Sequence, residues 1–303
     1  MKVHIGPIAP PELTAAVVAA GAGIGPAAEA SALVWYGSGP ERFAELDHPG
    51  LEWVQLPSAG IETWMTSGVL RDGITFTSAA GTYAETVAEH TLGLMLAGAR
   101  QLHAVARADQ WARPAGIRSL IGATVGIIGA GGIGRALMEL VRPFGVRVLA
   151  VNRSGKPVDG AAWTCPADDA SGVRRLLAES DFVVVAAPAT AETAKLIDAD
   201  ALSLMKSDAW LVNVARGSLV DTDALVAALD AESIGGAALD VTDPEPLPAG
   251  HPLFQHPRAL ISPHSANPKS LLIPALARRV EDNVRRRLAG EPLLGVIDLT
   301  AGY

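Results

Sequence analysis

Three late segments of this 303-residue chain carry side chains suited to moving a proton. VNVARG places Arg216 just past an apolar run, LDVTDPEP places Asp240 and Glu245 past a second, and SPHS places His264 past a third. Histidine changes charge near neutral pH, whereas arginine is a permanent cation. Each residue also has a plain structural use. Arg216 before Gly217 could open a helix, Glu245 between two prolines could sit in an exposed turn, and His264 after Pro263 could be a loop residue. Their shared position beyond late strands, where ligands bind in open α/β sheets, favours a site.

A second chemistry lies upstream. Residues 125–137 read VGIIGAGGIGRAL, a short apolar strand, a glycine turn and a helix start. Gly129, Gly131 and Gly134 form G-x-G-x-x-G: the first permits the tight turn, the second lets backbone approach a pyrophosphate, the third lets helix pack on strand. Gly132 and Ile133 would open the helix, whose N-terminal N–H groups favour phosphate. The pattern alone is weak, but here strand and helix flank it. An arginine, a carboxylate and a histidine converging on a nicotinamide would set hydride transfer beside proton transfer.

The second strand of such a unit usually ends in a carboxylate that grips the adenosine ribose. Here it ends in Asn152-Arg153-Ser154, with Lys156 nearby. A guanidinium and a hydroxyl suit a 2′-phosphate, which a carboxylate would repel. The expectation is NADP(H) preferred, with NAD(H) possible.

These residues need a scaffold. Runs at 125–128, 146–151, 182–186, 210–214, 237–239 and 259–261 read as buried strands of a parallel sheet. Residues 152–170 read as an irregular connection. Ahead of them, runs at 3–5, 32–36, 51–56 and 74–77 and a helix at 12–20 read as another α/β series. Residues 85–107 read as one long helix, and 271–288 as a final helix whose five arginines form a solvated face.

The bulk properties bound the rest. A hydrophobic content of 49% supports a sizeable core, and the length suits about two domains. A net charge of −8 argues against nucleic acid or a membrane surface as partner. Cys165 is the sole cysteine, and the N-terminus lacks the apolar run of a signal peptide, so a cytoplasmic location is expected. His4, His48, His90, His103, His251 and His256 show no metal spacing, so no metal is expected. The six tryptophans read as core or interface, with Trp64-Met65 a candidate for shaping specificity.

Taken together, GAGGIG at 129–134, VNVARG at 212–217, LDVTDPEP at 239–246 and SPH at 262–264 resemble the D-isomer-specific 2-hydroxyacid dehydrogenase family over essentially the whole chain. The resemblance implies a Rossmann cofactor domain (93–269) inserted into a flavodoxin-like substrate domain (1–92 with 270–303). It implies that Arg216 holds a 2-oxo acid and that His264 is the acid/base. Glu245 would hydrogen-bond His264 and favour its imidazolium form. Asp240 would accept from the nicotinamide carboxamide. Ser58, Ala59 and Gly60 would present backbone N–H groups to the substrate carboxylate. Val87, Pro188, Thr193, Val214 and Ala215 would line the cofactor. The implied substrate is a small 2-oxo or 2-hydroxy acid such as glyoxylate or hydroxypyruvate, and the implied assembly a homodimer, with Leu96 and Trp111 as apolar surface candidates. A reductase for bulkier 2-oxo acids and a dinucleotide-sensing corepressor are the alternatives within the family.

Overall fold

A computed structural model describes residues 1–111 and 113–299. The chain divides into two compact units, one of residues 1–83 with 267–303 and one of residues 84–266 inserted between them.

The first unit is built on β1 (Lys2–Pro7), α1 (Pro11–Ala19), β2 (Gly23–Ile24), β3 (Ala32–Tyr36), β4 (Trp53–Gln55), α2 (Glu62–Thr66) and β5 (Thr75–Thr77). All its strand pairs are parallel, in the order β2-β1-β3-β4-β5. That 2-1-3-4-5 order is the flavodoxin-like one. Leu33, Val34, Trp53 and Val54 are fully or almost fully buried, as two covered faces require. Trp64 does not line a surface. It stands edge-on to Trp35 and Phe43 in a buried aromatic cluster, so its role is core packing rather than specificity.

The chain's end returns to this unit for identifiable reasons. Buried Asn283 donates to Gln55 Oε1 at 2.8 Å and to Leu294 O at 3.0 Å, and its own Oδ1 accepts from Leu294 N at 2.8 Å. A buried amide must be paired in this way, since leaving it bare costs roughly 1–3 kcal/mol. Arg279 is likewise bound, donating to Ser78 O and Ala80 O. Its neighbours Arg285, Arg286 and Arg287 pair with Glu281, Glu291 and Glu52, as a solvated face would.

The inserted unit opens with α3 (Ala84–Ala99) and α4 (Leu102–Arg107). The single helix expected over 85–107 is therefore broken. Gln101 adopts a left-handed backbone (φ 55°) that ends one helix and begins the next. Then follow β6 (Thr124–Ile128), α5 (Gly132–Val141), β7 (Arg147–Asn152), β8 (Trp163–Pro166), α6 (Ala170–Glu179), β9 (Phe182–Val185), α7 (Ala199–Leu204), β10 (Trp210–Asn213), α8 (Thr222–Asp230), β11 (Gly236–Leu239) and β12 (Ala259–Ile261). In the first unit, α9 (Lys269–Ala289) closes the chain's secondary structure. The sheet is parallel with the order β12-β11-β10-β9-β6-β7-β8. Relative to its own first strand this is 3-2-1-4-5-6 with one strand added, the dinucleotide-binding order. The added strand is β12, at the far edge; β8, the third strand of that order, falls where an irregular segment was expected.

The units change at 83/84 and 266/267, whereas 92/93 and 269/270 were expected. The first shift places all of α3 with the inserted unit, because α3 packs on its sheet. At Gly98 a Cβ would meet the Trp210 indole at 2.5 Å, so the missing side chain lets helix and strand approach. Residues 300–303, part of the expected substrate domain, lie outside the described residues.

Candidate active site

The C-terminal ends of six strands in the inserted unit lie in register. Val151 is opposite Ile128, Ile128 opposite Val185, Val185 opposite Asn213, Asn213 opposite Leu239, and Leu239 opposite Ile261. Every sequence-selected residue of this unit's late strands leaves from that edge. The glycine turn starts one residue past Ile128, Asn152 lies one past Val151, and Pro188 three past Val185. Arg216 lies three past Asn213, Asp240 one past Leu239, and His264 three past Ile261. Neighbouring strands are about 4.8 Å apart, so the turns of Arg216 and His264 depart only about 10 Å from each other.

At the topological switch between β6 and β9, the glycines have separate steric jobs. Gly129 has φ +101°, and a Cβ there would run into the Ala186–Ala187 backbone. At Gly134 a Cβ would stand 2.9 Å from Gly129 O, so the bare backbone lets α5 close on the turn. At Gly131, the N-cap of α5, a Cβ would meet nothing within 4 Å, and no side chain caps the helix. An open glycine beside uncapped N–H groups is the arrangement that receives a phosphate.

Past β7, Asn152 is occupied in shaping its own turn. Its Oδ1 accepts from Ser154 N at 3.0 Å and Gly155 N at 2.7 Å, and its Nδ2 donates to Lys156 O at 2.8 Å. Arg153 and Ser154 are exposed at the tip so formed. Past β9, Thr193 folds the connection back on itself, donating to Pro188 O at 2.8 Å and accepting from Thr190 N at 2.8 Å.

Past β10, buried Asn213 builds the turn that carries Arg216. Its Nδ2 donates to Arg216 O at 2.8 Å and its Oδ1 accepts from Ala215 N at 3.1 Å. Val214 and Ala215 are buried, and Ala215 O accepts from Arg216 Nη1 at 2.7 Å. At Gly217 a Cβ would collide with the Thr242 carbonyl, so the β10 and β11 loops run in backbone contact. Thr222 adds a bond from its hydroxyl to Asp243 O at 2.6 Å. The loop bearing Glu245 is thereby fastened to the loop bearing Arg216.

His264 Nδ1 lies 2.6 Å from Glu245 Oε1. A carboxylate only accepts, so Nδ1 carries the hydrogen and Nε2 is left for proton exchange. Both side chains are about half exposed, at 52% and 41%. Solvent screens such a pair, so its main effect is to orient the ring and fix its tautomer.

Asp240 is almost entirely buried and organises the turn around His264. Its carbonyl accepts from His264 N at 2.7 Å. Its carboxylate accepts from Ser262 Oγ at 2.6 Å, Ser265 N at 2.9 Å and Ala266 N at 3.1 Å. Burial by itself would raise the Asp240 pKa. Hydrogen bonds from His90, Ser262 and the Ser265 and Ala266 amides outweigh it and hold the carboxyl at about 2. The expected partner, a nicotinamide carboxamide, would have to share an acceptor already serving four protein groups.

Val87, buried in α3, lies one turn before His90, which reaches Ser262. His90, Asn213 and Ser262 were not singled out from the sequence. Asn213 and Ser262 lie inside the diagnostic motifs, and His90 follows Val87 in TVAEH, which is the only signal they carried. Ser58, Ala59 and Gly60 belong to the other unit. There Ser58 Oγ donates to Gly60 O at 2.6 Å, and Tyr83 Oη donates to Pro57 O at 2.6 Å.

Comparison with known proteins agrees with this architecture. The model of the D-isomer specific 2-hydroxyacid dehydrogenase NAD binding domain matches residues 92–266. An uncharacterized protein of Corynebacterium melassecola is 42% identical over 91% of this chain and 90% of its own. A glyoxylate reductase of Thermofilum pendens is 34% identical over 80% of this chain and 72% of its own. Among solved structures, a D-isomer specific 2-hydroxyacid dehydrogenase of Xanthobacter autotrophicus, in complex with NADPH, superposes with a TM-score of 0.84 at 28% identity. That match covers 100% of this chain and 99% of the other. An NADPH-dependent glyoxylate/hydroxypyruvate reductase of Sinorhizobium meliloti gives a TM-score of 0.80 at 26% identity, with the same coverage. With the motifs, strand order and these matches in agreement, the chain belongs to the D-isomer specific 2-hydroxyacid dehydrogenase family, the NAD(P)-dependent oxidoreductases of 2-hydroxy acids.

Proposed function

We propose that the protein reduces small 2-oxo acids, glyoxylate and hydroxypyruvate foremost, with NADPH as reductant. The observation that carries this reading is the 2.6 Å contact of His264 Nδ1 with Glu245, on a turn two strands from Arg216. The named relatives supply the substrate class, since they include glyoxylate and glyoxylate/hydroxypyruvate reductases.

The residues present fit a dinucleotide. Gly129 and Gly134 are positions that a Cβ would fill, Gly131 is open, and the N-terminus of α5 has no side-chain cap. Gly131, Gly132 and Ile133 would hold the pyrophosphate, with Pro188, Thr193, Val214 and Ala215 lining the cofactor. Asn152 would shape the turn from which Arg153 and Ser154 meet a 2′-phosphate. When bound, the nicotinamide supplies the hydride.

The protein's own groups do the rest. Arg216 pairs its fork with the substrate carboxylate and carbonyl oxygen. His264, held through Nδ1 by Glu245, delivers the Nε2 proton to the carbonyl oxygen as negative charge develops there. In the oxidation direction, neutral Nε2 removes it. Asp240 holds the turn on which His264 stands.

Steady-state kinetics with a panel of 2-oxo acids test the substrate reading, and paired NADPH and NADH measurements test the cofactor. We expect a higher kcat/KM with NADPH. Arg153→Ala should lower that value about 10- to 100-fold, as loss of a charge-assisted bond does, while changing the NADH value little. Preference for NADH in the wild type would contradict the cofactor assignment.

A homodimer is also proposed, through apolar surface of the inserted unit: Leu102, Val105 and Ile121 are exposed, and Trp111 is fully so. Sedimentation velocity should give twice the chain mass, and Trp111→Asp should weaken association. A wild-type protein sedimenting only as a monomer would contradict the assignment.

A further inference from the structure

We propose that His90 is a positioning residue for the acid/base turn, acting through Ser262 and Asp240. The inference rests on the reading of His264 as the acid/base.

Proton accounting fixes the direction of the network. Ser262 Oγ lies 2.6 Å from Asp240 Oδ1 and has a single hydrogen, which it donates to the ionised carboxylate. His90 Nε2 lies 3.0 Å from that same hydroxyl and 3.3 Å from Asp240 Oδ1. Neither oxygen has a hydrogen to offer, so His90 Nε2 is the donor, shared between them. The anchor is helix α3, which packs on the sheet through Gly98 and Trp210.

The network ends on the turn that needs support. His264 has φ +49°, a left-handed backbone that is unfavourable for a non-glycine residue. Such a conformation persists only when its surroundings impose it. Asp240 imposes this one from three directions, through His264 N to its carbonyl and Ser265 N and Ala266 N to its carboxylate. If the carboxylate swings, its contacts with Ser265 N and Ala266 N loosen, and the turn keeps only the backbone bond from His264 N. His90 and Ser262 are the side chains that hold it.

Two pairs of variants separate the N–H of His90 from the bulk of its ring. His90→Met fills the space without a donor, whereas His90→Gln can return an N–H at similar reach. Ser262→Ala removes the relay from outside α3, and Ser262→Thr keeps its hydroxyl. In the full chain we expect His90→Met and Ser262→Ala to lower kcat for glyoxylate about 10- to 100-fold, the scale of an ångström-sized misplacement. KM should change little, melting temperature should stay near wild type, and amide exchange at Ser265 and Ala266 should speed up. His90→Gln and Ser262→Thr should recover most of both losses.

Wild-type kcat and wild-type exchange in His90→Met would overturn the inference. So would a His90→Gln variant as damaged as His90→Met, which would assign the effect to ring packing. If the wild type turns over no 2-oxo acid, the acid/base reading fails, while exchange at Ser265 and Ala266 still decides the role of His90.

Discussion

His264→Ala is expected to lower kcat for 2-oxo acid reduction by about 10²–10⁴-fold, the range for losing a positioned general acid. The carbonyl oxygen then has only water as proton source while hydride arrives at carbon. NADPH affinity should change little, because the phosphate cradle lies at β6, four positions from β12 in the sheet. Glu245→Gln should fall between wild type and His264→Ala. An amide keeps an oxygen that can accept from Nδ1, but it can also turn its NH2 toward the ring, so it fixes the tautomer less firmly. A His264→Ala variant with near-normal turnover would remove the residue from its assigned role.

Arg216→Ala is expected to cost about 2–5 kcal/mol in kcat/KM, roughly 30- to 5,000-fold, the usual penalty for removing one partner of a hydrogen-bonded charge pair. Both KM and kcat should suffer, because the fork binds the carboxylate and also fixes the carbonyl oxygen for protonation. Arg216→Lys should rescue poorly, since an ammonium cannot make the two parallel bonds of a guanidinium. Asn213 and Gly217 hold the turn, so the variant should keep the wild-type melting temperature. A KM increase with unchanged kcat would reduce Arg216 to a remote anchor.

Much of this site was legible in the sequence, and the reason is local. A glycine in a phosphate turn answers a steric demand within a few residues, as Gly129 shows by its φ and its closeness to Ala186–Ala187. Strands buried on both faces declare themselves as apolar runs, so the ends of β6, β7, β9, β10, β11 and β12 could be located. Residues just past those ends then became candidates. The chain also forms the two α/β units that the resemblance implied.

What escaped depends on partners remote in sequence. The network around Asp240 was not foreseen: its carboxylate binds donors from four other residues. Only the register of β11 against β12, and the approach of α3, bring those donors together. His90 was set aside for lacking metal spacing, because its partner Ser262 is 172 positions away. Strand β8 was missed because it is a four-residue edge strand, half-exposed and ending in Pro166. The break at Gln101 was missed because nothing in a run of good helix formers announces a left-handed residue.

The most direct test of the account is a single-turnover experiment: enzyme loaded with NADPH is mixed with glyoxylate, and loss of NADPH absorbance is followed in wild type, His264→Ala and Arg216→Ala. The account predicts NADPH oxidation with matching formation of glycolate in the wild type, and slowing by orders of magnitude in both variants despite bound cofactor. No oxidation by the wild type with glyoxylate, hydroxypyruvate or any other 2-oxo acid would contradict it, as would equal rates in all three proteins.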